Sequence, residues 1–502
     1  MIVWLAMLVA LAPWLVGGLP DRRLAHAQDV SAAQRPTLII ERVAFDADSR
    51  TLRIHGSHFG DRRPAQVRLD REPLAIVHHS AREIVTEPLP KHFGAGNHVL
   101  AVIAGDDPSR FDVAILTLAA SPETGSPPTP ATPRQANALA TLDQTGDVGW
   151  FTSLAIGRDD RPLISYLDYT RGSLKLAHCS APRCRAADLT SVDTDGNVGW
   201  FSSLAIGQGG NPVIGYYDNG RGALKLALCH DPSCADAETR IIDADGDVGQ
   251  HASLAIDPQG RAVIGYYDRD RGDLKVARCD DRHCTTARIQ RVDHVGDVGA
   301  HCSLAIGADG LPVMSYFDAT RGDLKVAHCD DLACRSAVRR SVDTGGVGLG
   351  TALAITPAGL PIIAYWDFFN DDLKVAHCRD PACRSAAITT VDSDDAVGSN
   401  AALAIGSDGR PVISYHDHTH SHLKVAKCAD PSCTSASTVT ADRSAAVGWH
   451  TAIAIDSGGL PIVSYYDETD GALRLLHCGD PACAGASSNG DRGSRRAAAR
   501  GR

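Results

Sequence analysis

The body of this sequence lacks runs of basic residues, and it lacks apolar stretches long enough to cross a membrane. Asp and Glu number 60 and Lys and Arg number 49, so the formal net charge at pH 7 is −11. Nucleic-acid-binding proteins depend on clustered positive charge, so these features argue against that class. The one apolar stretch of sufficient length covers residues 2–19, which excludes a protein with several membrane spans.

The N-terminal apolar stretch is typical of an export signal. It is followed by Ala25-His26-Ala27, a small-x-small pattern that predicts cleavage of a signal peptide comprising residues 1–27. No Lys or Arg precedes Asp21, whereas signal peptides usually begin with a basic segment. Retention of the stretch as an N-terminal membrane anchor is therefore the alternative, and both cases predict a secreted, extracellular or cell-envelope protein.

The cysteines agree with export. Fourteen of the 15 form Cys-x4-Cys pairs about 50 residues apart, and zinc knuckles usually have shorter gaps and need two converging pairs. We therefore predict one disulfide per pair, and a buried apolar thiol at the remaining Cys302. The pairs are Cys179/Cys184, Cys229/Cys234, Cys279/Cys284, Cys329/Cys334, Cys378/Cys383, Cys428/Cys433 and Cys478/Cys483.

Residues 36–119 contain short alternating segments, at 37–40, 51–54, 66–69 and 98–102, that predict β-strands. Pro36, Val43, the run LRIHGSHFG at 52–60 and the run GNHVL at 96–100 resemble the IPT/TIG family of Ig-like β-sandwiches. The resemblance implies a spacer or interaction module without catalytic residues. Residues 120–135 are rich in Pro and predict a semi-extended linker.

Residues 136–485 repeat one unit seven times, with a period of 49–50 residues. In repeat 4, the segments SLAIG, PVMSYFD and LKVAHC are separated by turns, and a last segment ends at Asp343. Four short strands per unit, here named A to D, predict a β-propeller blade. Each Cys pair should then link the end of strand C to the start of strand D. The two cysteines would face each other across a hairpin, where the distance between their Cα atoms is within the range of a disulfide.

The ends of the repeat region predict how the ring closes. A D-type strand at 137–143 precedes the first repeat and none follows Cys483. We therefore expect this strand to complete the last blade and close a seven-bladed ring, which leaves no open edge.

The repeated pattern SLAIG…GxPVISYYD…GDLKVA resembles secreted bacterial propeller repeats that are loosely related to sialidase-type BNR propellers. The sialidase Asp box, SxDxGxTW, is not present, and only the segment SVDTG at 341–345 matches its first half. Sialidase catalysis is therefore not implied. Residues 486–502, which are rich in Arg, predict a disordered basic tail.

A ligand site should lie where the repeats differ from one another. The D–A and B–C connections share one face of a propeller, and three Trp follow the D–A loops of repeats 7, 1 and 2, which ring closure makes neighbours. Aromatic faces beside Arg suit a sugar or an extended peptide. The alternative is that these Trp fill gaps between blades. The predicted ligand-binding residues are Trp150, Phe151, Trp200, Phe201, Trp449, His450, Arg171 and Arg221.

Two segments are candidate metal sites. Asp243, Asp245 and Asp247 have the oxygen ligands that suit Ca²⁺, the one candidate cofactor, but the loop has Gly too early for an EF-hand and lacks its distal Glu. His418, His420 and His422 alternate as transition-metal ligands do, with a solvated polar turn as the alternative. The aspartates that end each B strand, such as Asp168, predict turn capping instead.

These features predict an exported binding or adhesion protein whose propeller recognises a glycan or an extracellular protein. The alternative is a carbohydrate-active enzyme, hydrolase or lyase, at the channel mouth. Such an enzyme needs an acid and a base unlike their equivalents in other repeats, and no such pair stands out. A purely structural envelope protein is the third interpretation.

Overall fold

The computed structural model describes residues 39–46, 49–57, 59, 65–69, 72–90, 96–103, 111–118, 136–444 and 446–485. All regular elements in these residues are β-strands, which fall into two compact units divided between Thr129 and Pro130. No helix in this part of the chain is long and apolar enough to span a membrane. The predicted signal peptide, the predicted tail and the predicted linker lie outside the described residues.

The first unit is a pair of antiparallel four-stranded sheets, ordered β1-β2-β6-β5 and β4-β3-β7-β8. Leu52 and Ile54 of the first sheet share one hydrophobic core with Val67 and Leu100 of the second. The strands predicted at 51–54 and 66–69 are confirmed. The described strands are β1 (Ile39–Asp46), β2 (Thr51–Ser57), β3 (Gln66–Leu69), β4 (Glu72–Leu74), β5 (Ile76–His79), β6 (Glu83–Thr86), β7 (Gly96–Ile103) and β8 (Phe111–Leu118).

The second unit consists, in its described residues, of seven antiparallel four-stranded sheets, numbered here in chain order. Sheet 1 comprises β10 (Val148–Ile156), β11 (Pro162–Asp168), β12 (Ser173–Cys179) and β13 (Ala187–Asp193). Sheet 2 comprises β14 (Val198–Ile206), β15 (Pro212–Asp218), β16 (Ala223–Cys229) and β17 (Ala237–Asp243). Sheet 3 comprises β18 (Val248–Ile256), β19 (Ala262–Asp268), β20 (Asp273–Cys279) and β21 (Ala287–Asp293).

The remaining sheets repeat this order of strands A to D. Sheet 4 comprises β22 (Val298–Ile306), β23 (Pro312–Asp318), β24 (Asp323–Cys329) and β25 (Ala337–Asp343). Sheet 5 comprises β26 (Val347–Ile355), β27 (Pro361–Asp367), β28 (Asp372–Cys378) and β29 (Ala386–Asp392). Sheet 6 comprises β30 (Val397–Ile405), β31 (Pro411–Asp417), β32 (His422–Cys428) and β33 (Ala436–Asp442). Sheet 7 comprises β34 (Val447–Ile455), β35 (Pro461–Asp467), β36 (Ala472–His477) and β9 (Ala138–Asp143).

The predicted all-β class and repeated four-stranded sheets are confirmed, and they are consistent with a β-propeller.

The N-terminal strand of the second unit completes its last sheet, as predicted. Strand β9 pairs with β36, with Asp143 opposite Leu473. The Asn137 amide donates to the carbonyl of Cys483 at 2.9 Å and accepts from the N–H of Gly479. Sheets 7 and 1 also meet at their A strands, where the Thr152 hydroxyl donates to the carbonyl of His450 at 2.8 Å.

An Asp carboxylate, buried at six of the seven junctions and half-buried at Asp343, joins each pair of neighbouring sheets. Asp293, at the end of sheet 3, accepts from the Tyr316 hydroxyl at 2.8 Å and from the Lys325 ammonium at 2.6 Å, both in sheet 4. The tyrosine is fully buried in all seven sheets. Burial raises the pKa of Asp293, but the two hydrogen bonds outweigh it and leave the pKa below its ordinary value. The same Asp–Tyr–Lys contact recurs at every junction, with Arg474 in place of Lys in sheet 7: Asp143/Tyr166/Lys175, Asp193/Tyr216/Lys225, Asp243/Tyr266/Lys275, Asp343/Tyr365/Lys374, Asp392/Tyr415/Lys424 and Asp442/Tyr465/Arg474.

A second repeated aspartate stabilises the B–C turn. Asp318 is fully buried, and its carboxylate accepts the backbone N–H of Arg321 at 3.0 Å. The same contact is made by Asp168 and by the corresponding aspartates of the other sheets. The predicted capping of turn N–H groups is therefore confirmed, and it accounts for the recurrence of this residue.

All seven predicted disulfides are present, and Cys302 is buried and unpaired. The first cysteine lies at the end of strand C or directly after it, as expected. Cys179, for example, ends β12 and lies opposite Ala187, the first residue of β13.

The expected position of the second cysteine, opposite the first on strand D, is wrong in every repeat. Cys184 lies three residues before β13, where its backbone N–H donates to the carbonyl of Ala181 at 2.9 Å and closes a tight turn. This turn gives the cysteine a positive φ, so it cannot continue the strand ladder. The disulfide therefore closes the C–D turn and does not join opposed strand residues. The correction applies to all seven second cysteines, which are buried in their turns at φ angles between 40° and 55°: Cys184, Cys234, Cys284, Cys334, Cys383, Cys433 and Cys483.

We expect one free thiol per chain when the exported protein is denatured without reductant and titrated with a thiol reagent. In the native protein Cys302 should react slowly, because burial raises the pKa of its thiol to about 12. The reduced, denatured protein is the control and should give 15 thiols. Several free thiols in the unreduced sample would contradict the disulfide assignment.

Deleting residues 136–143 should abolish solubility or cooperative unfolding, because it removes β9 and exposes the edge of β36. Solubility and urea unfolding followed by circular dichroism measure the effect. Deletion of residues 36–120 is the control and should leave the second unit folded. A soluble, cooperatively unfolding protein without residues 136–143 would refute the role of β9.

Candidate functional site

The seven A strands meet around a central cavity of about 190 Å³. Each strand contributes two consecutive residues to its wall, and none of the fourteen is Asp, Glu, Lys or Arg. We call the first of each pair the inner ring: Phe151, Phe201, His251, His301, Gly350, Asn400 and His450.

Every inner-ring residue has a left-handed backbone. Their φ angles lie between 51° and 59°, a region that is strained for bulky side chains. The cause is a β-bulge in each A strand: Trp150 pairs with Leu167 and Ser153 pairs with Ser165, so that two residues oppose one. Bulges turn a side chain away from the regular alternation of a strand. Here each bulge brings its inner-ring residue to the wall of the cavity.

Hydroxyl groups fix several of these bulges. Thr351, the second cavity residue of sheet 5, donates to the carbonyl of His301 in sheet 4 at 2.8 Å. Ser202 and Thr451 make the same contact to the inner-ring carbonyls of their preceding sheets. The strained backbone of the ring is therefore held by neighbouring sheets, so the cavity wall is pre-formed.

Five inner-ring side chains form a continuous row of aromatic contacts. The ring centroids are 4.4 Å apart for His450 and Phe151, 4.5 Å for Phe151 and Phe201, 4.4 Å for Phe201 and His251, and 4.3 Å for His251 and His301. Gly350 and Asn400 carry no ring, so the row has a gap between His301 and His450 at sheets 5 and 6.

The inner-ring histidines are neutral at physiological pH. Desolvation lowers the pKa of His301 to about 4, and desolvation with a contribution from His416 does the same for the pKa of His450. Desolvation and the neighbouring His301 lower the pKa of His251 as well. The wall of the cavity therefore presents aromatic faces and uncharged polar atoms.

The three predicted Trp lie outside the inner ring and are half-buried. Trp150 stacks on Tyr169, with centroids 5.2 Å apart, and packs against Tyr466 of sheet 7 at 5.0 Å. Trp200 packs edge-on against Tyr169 at 5.9 Å. We call these rings of sheets 6, 7, 1 and 2 the aromatic arc, in which Tyr466 is buried, the three Trp are half-buried, and Tyr169 and His418 are exposed: His418, Trp449, Tyr466, Trp150, Tyr169 and Trp200.

Trp449 extends the arc towards sheet 6. Its ring lies 4.4 Å from that of His416, which is fully buried, and 5.7 Å from that of His418. The three Trp therefore pack partly against neighbouring sheets and partly face solvent. This arrangement lies between the two alternatives from the sequence, which are a ligand-binding surface and a filling of gaps between blades.

The polar edges of the arc point inward. The Asp147 carboxylate accepts from the Trp150 indole N–H at 2.7 Å and from the Tyr466 hydroxyl at 2.8 Å. The Trp200 indole N–H donates to the Asn197 side chain at 2.8 Å. These acceptors lie in the D–A loops and fix the orientation of the rings, so the arc offers faces to a ligand.

The two predicted arginines already hold the D–A loops. Arg171 donates to the carbonyl of Thr145 and to Asp168, and Arg221 donates to the carbonyl of Asp195 and to Asp218. Their side chains are nevertheless 57% and 43% exposed, so a ligand can reach the outer side of each guanidinium. Their role in ligand binding stays a prediction.

The three carboxylates proposed for Ca²⁺ have separate partners. Asp243 belongs to an inter-sheet contact, Asp245 pairs with Arg271 at 3.1 Å, and Asp247 accepts from the Tyr217 hydroxyl. The described residues contain no cluster of three or more His, Cys, Asp and Glu that is arranged to hold a metal ion. These observations favour structural roles for the D–A aspartates.

The histidines of sheet 6 also divide between different neighbours. His418 packs on Trp449, whereas His420 lies 3.1 Å from Asp417 and stacks on His422 with centroids 5.8 Å apart. They extend the aromatic surface of the arc and do not converge on one point.

Sequence reasoning missed a second aromatic group in sheets 4 and 5. Phe368 packs against Phe317 and Trp366 at about 6 Å and stacks on Phe369, which is 74% exposed. Gly346 is required beneath Phe369, because a Cβ there would lie 1.5 Å from the phenyl ring. The signal was present: repeat 5 is one residue short in its D–A loop and has Phe-Phe in its B–C turn.

No protein-family model matches this chain, and no curated protein sequence shows significant similarity to it. Solved structures of low similarity include an auxiliary nutrient-binding protein from Bacteroides ovatus, at 10% identity and a TM-score of 0.37 over 88% of this chain and 98% of that one. A Hadza microbial sialidase has 12% identity and a TM-score of 0.40 over 71% and 75% of the two chains. A quinoprotein alcohol dehydrogenase-like protein from Bacteroides thetaiotaomicron has 9% identity and a TM-score of 0.40 over 84% and 98%. At these values the similarity assigns neither an activity nor a ligand to this chain.

The inner-ring histidines predict a pH dependence of stability. The pKa of His301 is about 4 in the folded protein, against an ordinary 6.5, so the unfolded chain binds more protons between these values. The free energy of unfolding should therefore fall as the pH drops from about 6.5 to about 4. Asp143, Asp193, Asp243 and Asp293, whose pKa values are lowered from 3.8, lose their contribution at lower pH.

His301→Phe tests this expectation, because sheets 1 and 2 carry Phe at the same position and backbone angle. Urea unfolding at pH 7 and pH 5 should show a smaller loss of stability in this variant than in the wild type. His294→Gln, at an exposed position, is the control and should keep the wild-type pH dependence. An unchanged pH dependence in His301→Phe would show that this histidine is not buried in neutral form.

Proposed function

We propose that this chain is an exported glycan-binding protein in which the mouth of a closed, seven-bladed β-propeller recognises a carbohydrate chain. The observation that carries the proposal is the aromatic arc, in which Tyr466, Trp150, Tyr169 and Trp200 are in ring contact over sheets 7, 1 and 2. Trp449, the cross-strand partner of Tyr466, and His418 continue it towards sheet 6. Ring faces that are fixed in orientation and partly exposed are suited to stacking on the apolar faces of sugar rings. Arg171 and Arg221 border the arc and supply hydrogen-bond donors.

The arrangement of the carboxylates favours binding over hydrolysis. Glycoside hydrolysis requires two carboxyl groups placed on either side of the scissile bond. At the mouth, Asp147 accepts from Trp150 and Tyr466, and Asp297 accepts from the Tyr267 hydroxyl at 2.7 Å. These carboxylates orient aromatic rings, which is a structural task.

Export is supported by the seven disulfides, which form and persist in oxidising compartments. The first unit, with its two packed sheets, serves in this proposal as an Ig-like spacer of the IPT/TIG type. The function is then that of a secreted or surface-attached protein that presents its propeller to an extracellular glycan, without a nucleic-acid partner.

A glycan array probed with the mature chain tests the proposal. We expect binding to a defined set of glycans, and Trp200→Ala should weaken it by roughly 1–3 kcal/mol, the range of a binding hot spot. Trp366→Ala is the matched control, because it removes a half-buried Trp of sheet 5 that lies outside the arc. That variant should bind as the wild type does.

Melting temperatures of both variants separate binding from folding. If Trp200 serves the ligand, its removal should leave melting close to that of the wild type. A large drop in melting, as expected for about 3–5 kcal/mol of lost core packing, would return this residue to the inter-sheet core. An array without any bound glycan would refute the proposed function and favour an extracellular protein as partner.

A further inference from the structure

The gap in the inner ring makes the central cavity a pocket with two different walls. Phe151 and Phe201 form an apolar aromatic wall, in contact with each other at 4.5 Å. His301 and His450 border the gap on either side, and Gly350 leaves space between them. The asymmetry lies in the side chains alone, because the backbone has the same left-handed conformation in all seven sheets.

The polar side chains of the inner ring have no hydrogen-bond partner in the described part of the chain. Neither the ring nitrogens of His251, His301 and His450 nor the side-chain amide of Asn400 makes a hydrogen bond there to another residue. Each neutral imidazole offers one donor and one acceptor, and the amide offers two donors and one acceptor. The pocket therefore combines stacking surface with several uncharged hydrogen-bonding groups.

The pocket discriminates by charge and by size. An ionised group would lose its hydration without gaining an opposite charge, because no charged residue lines the wall. The volume of about 190 Å³ corresponds to the space of roughly six water molecules, which is room for one small ring.

We propose that the central cavity is a specificity pocket that takes one uncharged, hydroxyl- or amide-bearing sugar ring end-on, as the terminal unit of the bound glycan. This inference rests on the proposed glycan-binding function and deepens it. The aromatic arc binds the body of the glycan, and the cavity selects its terminal sugar unit. The sugar stacks on Phe151 and Phe201, and its polar groups bind His301, Asn400 and His450.

The strained backbone of the ring agrees with this role. Strained conformations persist where the surrounding structure enforces them, and they cluster at ligand clamps. In sheets 1 and 2 the strain falls on Phe, for which a left-handed φ is unfavourable. The bulge that every A strand shares places these two rings at the wall of the cavity.

The probes are four neutral monosaccharides (glucose, galactose, mannose and N-acetylglucosamine) and two acidic ones (glucuronate and N-acetylneuraminate), titrated into the full mature chain by NMR and calorimetry. We expect at least one neutral sugar to bind and neither acidic sugar to do so. Binding of an acidic sugar as tightly as a neutral one would overturn the inference, and so would the absence of any neutral sugar binding.

Gly350→Phe closes the pocket without touching the arc. A Cβ at Gly350 meets no atom closer than 3.6 Å, and its φ of 59° is close to those of Phe151 and Phe201. We expect monosaccharide affinity to fall at least tenfold. Gly350→Ala is the control, because it leaves the pocket open, and it should stay within threefold of the wild type.

Asn400→Phe, from the neighbouring sheet, closes the same gap at a φ of 53° and replaces Gly350→Phe if that variant fails to fold. Unchanged monosaccharide binding in a folded, closed-pocket variant would overturn the inference.

The experiments distinguish a failure of the proposed pocket from a failure of the proposed glycan-binding function. Trp200→Ala should lose affinity for long glycans while keeping that for the monosaccharide. If the closed-pocket variant keeps every glycan of the array at wild-type affinity, the pocket is not used and the function of the arc stands. If the wild type binds no glycan at all, both proposals fall.

Discussion

Each sheet of the second unit is joined to the preceding sheet by an Asp carboxylate, buried at all junctions except that of Asp343, that a Tyr and a basic residue share. Asp293, Tyr316 and Lys325 show the contact, with the carboxylate at the point where the chain leaves one sheet for the next. An ion buried in this way is tolerated only when it is paired and hydrogen-bonded, so the position of each sheet is specified by three groups at once. The seven-fold repetition of this contact fixes the distance and angle between neighbouring sheets.

Because every junction uses the same Asp–Tyr–base contact, the residues at the central cavity are free to differ. The repeated positions hold the scaffold: the inter-sheet Asp, the turn-capping Asp and the disulfide of the C–D turn. Side-chain size varies in the inner ring, from Phe151 to Gly350, and at the position directly before it, from Trp150 to Ala300. Constant structural positions combined with variable residues around the cavity allow one architecture to accommodate different ligands.

Much of this is accessible from the sequence, because it depends on period and spacing. The 49–50-residue repeat predicts the four-stranded sheets, and the segment at residues 137–143 is recognisable as the fourth strand of the last sheet because the sequence after Cys483 has no D-type pattern. The Cys pairs follow from their gap alone. The contiguity of Trp449, Trp150 and Trp200 follows from the predicted pairing of residues 137–143 with the last repeat, since this pairing makes the first and last repeats neighbours.

The remainder depends on backbone conformation and on contacts between repeats. Nothing in the sequence marks a left-handed φ at Phe151, and without the bulge the contacts of the inner ring are not foreseeable. The same holds for Asp147, whose partners Trp150 and Tyr466 come from sheets 1 and 7, and for Cys184, which lies in a turn and not on strand D. The aromatic group around Phe369 is recognisable in the sequence as a departure from the repeat. The sequence does not show that Phe369 is exposed.

The most direct test of this account is a double-mutant cycle at one junction, with the free energy of unfolding measured in urea for Asp293→Asn, Lys325→Met and the double variant. Removing one partner of a buried, hydrogen-bonded ion pair costs roughly 3–5 kcal/mol, because the other partner is left without its counter-charge. Removing both charges should cost less than the sum of the single losses, by more than about 1 kcal/mol. Additive losses, or single variants as stable as the wild type, would show that the sheets are held together by hydrophobic packing alone and would contradict the account.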